Sequence, residues 1–170
     1  GYGAPEVEAC YRRALVLCRA AGETSHQMQA ALGMAAFSFM RAELRTVRDL
    51  GERELATSQR EEPRGRRLQV HWALGQACFH QGEFTAAYAH LSQGLPLYTR
   101  QQSRAHVVQD PGVMVLSYLS LTDLCLGYPD RAVQHCHEML ALARSLRHRF
   151  SLAIALNVAA NALRRSLRAA

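Results

Sequence analysis

The 170-residue chain contains no lysine: its 20 basic residues are all arginine, and against 14 carboxylates they leave a formal net charge of +6. A phosphate-binding loop of the Gly-x-x-x-x-Gly-Lys type is thereby excluded. An absence this complete touches buried and exposed positions alike. A coding bias toward GC-rich arginine codons explains it more simply than selection for bidentate contacts to anions. The arginines are not gathered as a nucleic-acid footprint requires. Arg41, Arg45 and Arg48, then Arg64, Arg66 and Arg67, are interleaved with Glu43, Asp49, Glu52, Glu54, Glu61 and Glu62. These are solvated helix faces, and no nucleic-acid partner is expected.

Long apolar runs are missing as well. No stretch approaches the roughly 18 consecutive apolar residues that cross a bilayer. The opening GYGAPEVEAC lacks a basic start followed by an apolar core. The expected location is the cytoplasm, with no membrane partner. The five cysteines (Cys10, Cys18, Cys78, Cys125, Cys136) are odd in number and form no CxxC pair, so a disulfide framework is not expected; they read as small buried apolar residues. No segment alternates apolar and polar residues as a half-buried strand does.

What is present is helical periodicity. Apolar residues recur at three- and four-residue spacing between sparse glycines and prolines, and predict eight helices near 5–21, 24–40, 43–59, 64–81, 83–98, 111–126, 129–146 and 148–166. Alignment of the turns exposes a repeat. In HQGEFTAAYAHLSQGL, Gly82 is followed five residues later by Ala87, then by Leu91 and Leu95; in CLGYPDRAVQHCHEML, Gly127 is followed by Ala132, Cys136 and Leu140. A weaker copy, RAELRTVRDLGERELA, has Ala42 for the glycine, then Val47, Gly51 and Leu55. A left-handed residue at the turn ends the first helix of each pair. The small residue five places on lets the second helix approach the first.

This spacing resembles the tetratricopeptide repeat, with Trp72, Leu74 and Gly75 in the first helix, Gly82 at the turn and Ala87 in the second. Trp72 is one place late for that pattern, Cys78 replaces its tyrosine and Thr99 its closing proline. A more specific resemblance lies in Asp110-Pro111-Gly112, the turn Leu126 to Asp130 with Ala132, and His148 with Phe150 to Ala153. These residues resemble the C-terminal helical-repeat region of bacterial signalling proteins that combine a class III cyclase or kinase domain with an AAA-type ATPase domain; Arg149 stands where that family usually has proline. The resemblance implies an all-α, right-handed superhelical stack of helix pairs over residues 1–170, a fragment of a longer protein. It also implies a regulatory, partner-binding role without cofactor or catalytic residues. A stand-alone peptide-binding adaptor and the repeat region of an ATPase-containing transcriptional regulator are the alternatives.

No constellation for chemistry emerges from the remaining residues. His135, Cys136 and His137 are consecutive, and neighbours on a helix splay by about 100°, so they cannot converge on one ion. Cys136 occupies the packing register, which turns the two histidines outward as passengers. The repeat register instead predicts a concave groove lined by the first helix of each pair: Gln29, Leu32, Ala36 and Phe39; Gln69, Trp72, Gln76 and Phe79; Met114, Ser117, Leu121 and Leu124. Such a groove would take a protein or peptide, or pack against other parts of the parent protein. The unpaired end helices could join two copies. Asp110 before Pro111 is expected to cap the helix that follows.

Overall fold

In the computed structural model, which describes residues 3–22, 24–57, 64–100 and 109–169, the periodic segments form eight α-helices and no strand occurs among the described residues. They are α1 (Pro5–Ala21), α2 (Thr24–Met40), α3 (Leu44–Thr57), α4 (Arg64–His80), α5 (Phe84–Gly94), α6 (Pro111–Cys125), α7 (Pro129–Leu146) and α8 (Arg149–Ala169). The fifth helix is shorter than its periodicity predicts. Pro96 has no N–H to bond Ser92, so the chain leaves the α-helix at Gly94 and tightens into a 3-10 turn over Leu95–Leu97. Residues 58 and 59, expected in the third helix, and most of the connection over 99–112 lie outside the described residues.

Three turns repeat one geometry. Ala42, Gly82 and Gly127 have φ of 59, 80 and 84°. Each is followed by an amide that reaches back to a carbonyl five residues earlier: Glu43 to Ser38 at 2.8 Å, Glu83 to Cys78 at 2.9 Å and Tyr128 to Asp123 at 2.8 Å. The left-handed residues also donate, Ala42 to Phe39, Gly82 to Phe79 and Gly127 to Leu124. This pair of bonds satisfies the last carbonyls of the first helix and turns the chain back within three residues. Ala42 holds the conformation with a Cβ, which costs about 1–2 kcal/mol in the left-handed region. Ala42→Gly is therefore expected to raise stability by about 0.5–1 kcal/mol, the strain relief being partly offset by unfolded-chain entropy. A urea unfolding midpoint that fails to rise would contradict this.

The contact five residues past each turn is buried in all three copies, at Val47, Ala87 and Ala132. Seven residues before each turn stand Ala35, Gly75 and Ser120, which receive it. A side chain added at Gly75 would begin 2.5 Å from Leu91 Cγ and 3.3 Å from the Ala87 carbonyl oxygen. Ser120 Oγ donates to the Ala132 carbonyl at 3.0 Å. In the α4–α5 pair the place one residue before Trp72 carries the packing. His71 is buried there, with its Cβ 3.1 Å from where a side chain at Gly94 would start, whereas Trp72 is half-buried on the neighbouring face.

Each helix packs on the next in sequence, and α2, α4, α6 and α8 also touch in series. Helix α6 is the centre. It contacts α4, α5, α7 and α8, and from Pro111 to Asp123 nearly every residue is buried, as suits a helix apolar on all sides. One cluster of Leu68, Leu91, Val115 and Leu119 joins α4 and α5 to α6; another joins Val113, Leu116, Cys136 and Met139 to Ala155, Ala159 and Ala162 of α8. Helix α1 buries none of its residues. It is held partly by the Tyr11 ring lying on Gly33, where a Cβ would fall 2.1 Å from the ring.

Candidate functional site

The inner faces of α2 and α4 line a half-open cavity of about 460 Å³. Leu32, Ala36 and Phe39 recur at four- and three-residue steps on α2, and Gln69, Trp72, Ala73 and Gln76 do so on α4, so each set forms one face. Met40, Tyr11 and Val47 extend the wall; Gln109 and Phe150 close it from the far end of the chain. Beside it lies an aromatic cluster. Phe39 and Phe79 stack edge-on against His80, at 5.2 and 5.3 Å, and Phe79 against Tyr118 at 5.5 Å. The Tyr118 hydroxyl accepts from Gln76 Nε2 at 2.8 Å and lies 3.1 Å from His80 Nε2. Burial pushes the Tyr118 phenol up and the His80 imidazole down from their ordinary pKa values.

Six of the residues that the repeat register predicts for a groove line this cavity: Leu32, Ala36, Phe39, Gln69, Trp72 and Gln76. The others go elsewhere. Gln29 is exposed and off the wall, and Phe79 serves the aromatic cluster. Met114 and Ser117 are buried, Ser117 Oγ donating to the Val113 carbonyl and meeting Met139 sulfur at 3.0 Å; Leu124 packs into the α6–α8 core. Helix α6 is covered by α7 and α8, which is why its inner face is not available as those of α2 and α4 are.

The motif segments Asp110-Pro111-Gly112 and His148 to Ala153 meet in one buried junction. Asp110 caps α6, accepting from Val113 N–H at 2.9 Å and from the Tyr98 hydroxyl at 3.0 Å. Its own N–H donates to Ser151 Oγ at 2.9 Å, 41 residues along the chain. Ser151 Oγ is 2.8 Å from His148 Nδ1, and that nitrogen also accepts from Ser151 N–H, so His148 caps α8. Gly112 leaves room for the Tyr98 ring, which a Cβ would approach to 2.8 Å. Ser151 has no exposed area. Its hydroxyl is a structural linker with no access for a substrate. The junction sets Gln109 and Phe150 on the cavity wall, and no local periodicity announces either.

Of the two histidines beside Cys136, His137 is exposed, but His135 is not a passenger. His135 Nδ1 lies 2.9 Å from Asp123 Oδ2. Asp123 is fully buried and also pairs with Arg131 at 2.7 Å, while the Arg131 guanidinium lies 4.5 Å from the Tyr88 ring centre and 4.6 Å from that of Tyr128. The charge is thus met by an arginine stacked between two aromatic faces. Among the described residues no three His, Cys, Asp or Glu side chains gather as a metal-holding group. A second histidine pair, His71 and His90, has ring centres 5.7 Å apart and both Nδ1 atoms buried without a hydrogen bond. Burial first, then His90 and Arg67, lowers the His71 pKa to about 4.

No described helix is long and apolar enough to cross a membrane. No family model matches the chain, and no curated protein matches its sequence.

Proposed function

We propose that the chain is a non-catalytic interaction and regulatory module of a bacterial signal-transduction protein, built as a right-handed superhelical stack of tetratricopeptide-like helix pairs. Cyclase or ATPase domains would lie elsewhere in the parent protein. The threefold recurrence of one turn and one close contact, at Ala42 and Val47, Gly82 and Ala87, and Gly127 and Ala132, carries this proposal. The serial contact of α2, α4, α6 and α8 supports it, because stacking of this kind is how repeat proteins present extended binding surfaces. Large apolar side chains stand in water on the two outermost helices: Val16 and Leu17 on α1, Leu156 and Leu163 on α8. Patches of this sort are where a soluble protein meets a partner. The partner is a protein or peptide, other domains of the same parent or a second copy included.

A photoreactive benzoylphenylalanine placed at Val16, at Gln29 or at Leu156, in cells expressing the full-length natural gene, is expected to form an adduct with a polypeptide from at least one position. Absence of a polypeptide adduct from all three, with the fold intact by circular dichroism, would overturn the interaction role. An open reading frame beginning near Gly1, with no nucleotide-binding motifs upstream, would overturn the signalling parent.

A further inference from the structure

We infer that the cavity between α2 and α4 is an effector site for a neutral, largely apolar small molecule carrying one or two hydrogen-bonding groups. This goes beyond the interaction role and does not rest on it. The volume, about 460 Å³, falls in the range of roughly 300–1,000 Å³ typical of small-ligand pockets. Its walls are mainly apolar and aromatic, with Phe39, Trp72 and Phe150 among them. Among the described residues no carboxylate, imidazole or guanidinium lines it. A charged ligand would shed part of its hydration there and gain no counter-charge from these residues. The match in charge is to a neutral molecule.

The polar groups on the wall are chiefly amides. Gln76 and Gln109 each carry both a donor and an acceptor. Gln76 Nε2 is engaged by the Tyr118 hydroxyl, which orients the amide in advance of any ligand. Gln69 and Gln76 sit seven residues apart on α4, about 10 Å along the axis, so amides stand toward both ends of the wall. The wall also joins distant parts of the chain. Leu32 belongs to the first helix pair and Phe150 to the last helix, so an occupant touching both favours the arrangement in which the two stay close. Occupancy is thereby a regulatory input to the whole array.

Matched probes test this on the 170-residue chain. 2-Naphthylacetamide and octanamide are titrated against 2-naphthylacetate and octanoate, with Trp72 emission, Nile red displacement and the thermal midpoint as readouts. The amides are expected to bind at least about tenfold more tightly than their carboxylates and to raise the midpoint at saturation. Ala36→Trp fills the cavity from an exposed helix position and should abolish binding. Phe150→Ala, at a residue 51% exposed and therefore tolerant of truncation, should weaken it several-fold with the unliganded midpoint unchanged. Carboxylates that bind as well as amides would overturn the inference. So would binding that survives Ala36→Trp, or the lack of any response up to probe concentrations on the order of 1 mM. A polypeptide adduct at Val16, Gln29 or Leu156 in the face of those outcomes would leave the interaction role standing alone.

Discussion

Arg131→Leu is expected to lower the unfolding free energy by about 3–5 kcal/mol, because it strands a buried carboxylate. Asp123 has no exposed area and lies between α6 and α7 with Arg131 at 2.7 Å and His135 at 2.9 Å. The substitution also removes a guanidinium stacked on Tyr88 and Tyr128, and with it the link from α7 to α5. Removal of the opposite partner separates these effects. In the double variant Asp123→Asn with Arg131→Leu, no charge is left unpaired, and most of the loss should return, because a neutral pair in place of a buried ion pair is often nearly neutral in stability. Chemical denaturation of the wild type, both single variants and the double variant provides the cycle. A loss below about 1 kcal/mol for Arg131→Leu would mean that the pair behaves as a surface salt bridge.

Acid is expected to weaken the fold in a defined window. The His71 pKa is about 4 in the folded chain, against an ordinary value of 6.5. Between those values the unfolded chain binds a proton that the folded chain refuses, so stability is full above about pH 6.5 and falls as the pH drops toward 4. At about 1.4 kcal/mol for each tenfold change in proton affinity, this group contributes a loss of about 3 kcal/mol. His90 acts in the same direction, lowered by burial and then by Arg48, with Glu52 opposing. His80 is also lowered by burial. Nearby arginines act in the same direction: Arg67 stands one turn before His71 on α4, and Arg48 reaches His90 from α3, so protonation adds repulsion to lost hydration. His71→Leu should flatten the dependence between pH 4 and 6.5 while keeping the fold, since His71 Nδ1 has no hydrogen bond to lose. Unfolding curves at half-unit pH steps would show it. An unchanged slope in the variant would assign the acid sensitivity to other groups.

The helical pairs were legible because their determinants are local. Apolar spacing set the helices, and Ala42, Gly82 and Gly127 marked the reversals, since a left-handed residue closing the last carbonyls needs no distant partner. Gly75 and Ala87 were legible for a similar reason: two helices joined by three residues must approach, and only small side chains permit it. The boundary of α5 was readable only in part. The apolar period continues past Gly94, but Pro96 withholds the amide that would extend the helix.

The candidate site was half legible. Leu32, Ala36, Phe39, Gln69, Trp72 and Gln76 follow from the register of α2 and α4. Met114 and Ser117 have the same register on α6, yet the layers above and below that helix bury them, which no property of α6 alone announces. The register that packs Cys136 inward points His135 outward, and its partner Asp123 lies across the turn on another helix, where local spacing cannot show it.

The sequence by itself determined the eight helices of the described residues, the places where they reverse, and which small residues let each pair close, because these depend on spacing within a few turns of one chain. Only the tertiary structure decided that Gln109 and Phe150 wall a cavity built by α2 and α4. Their position depends on Asp110 bonding Ser151 41 residues away, and a contact across that distance leaves no periodic trace in either segment.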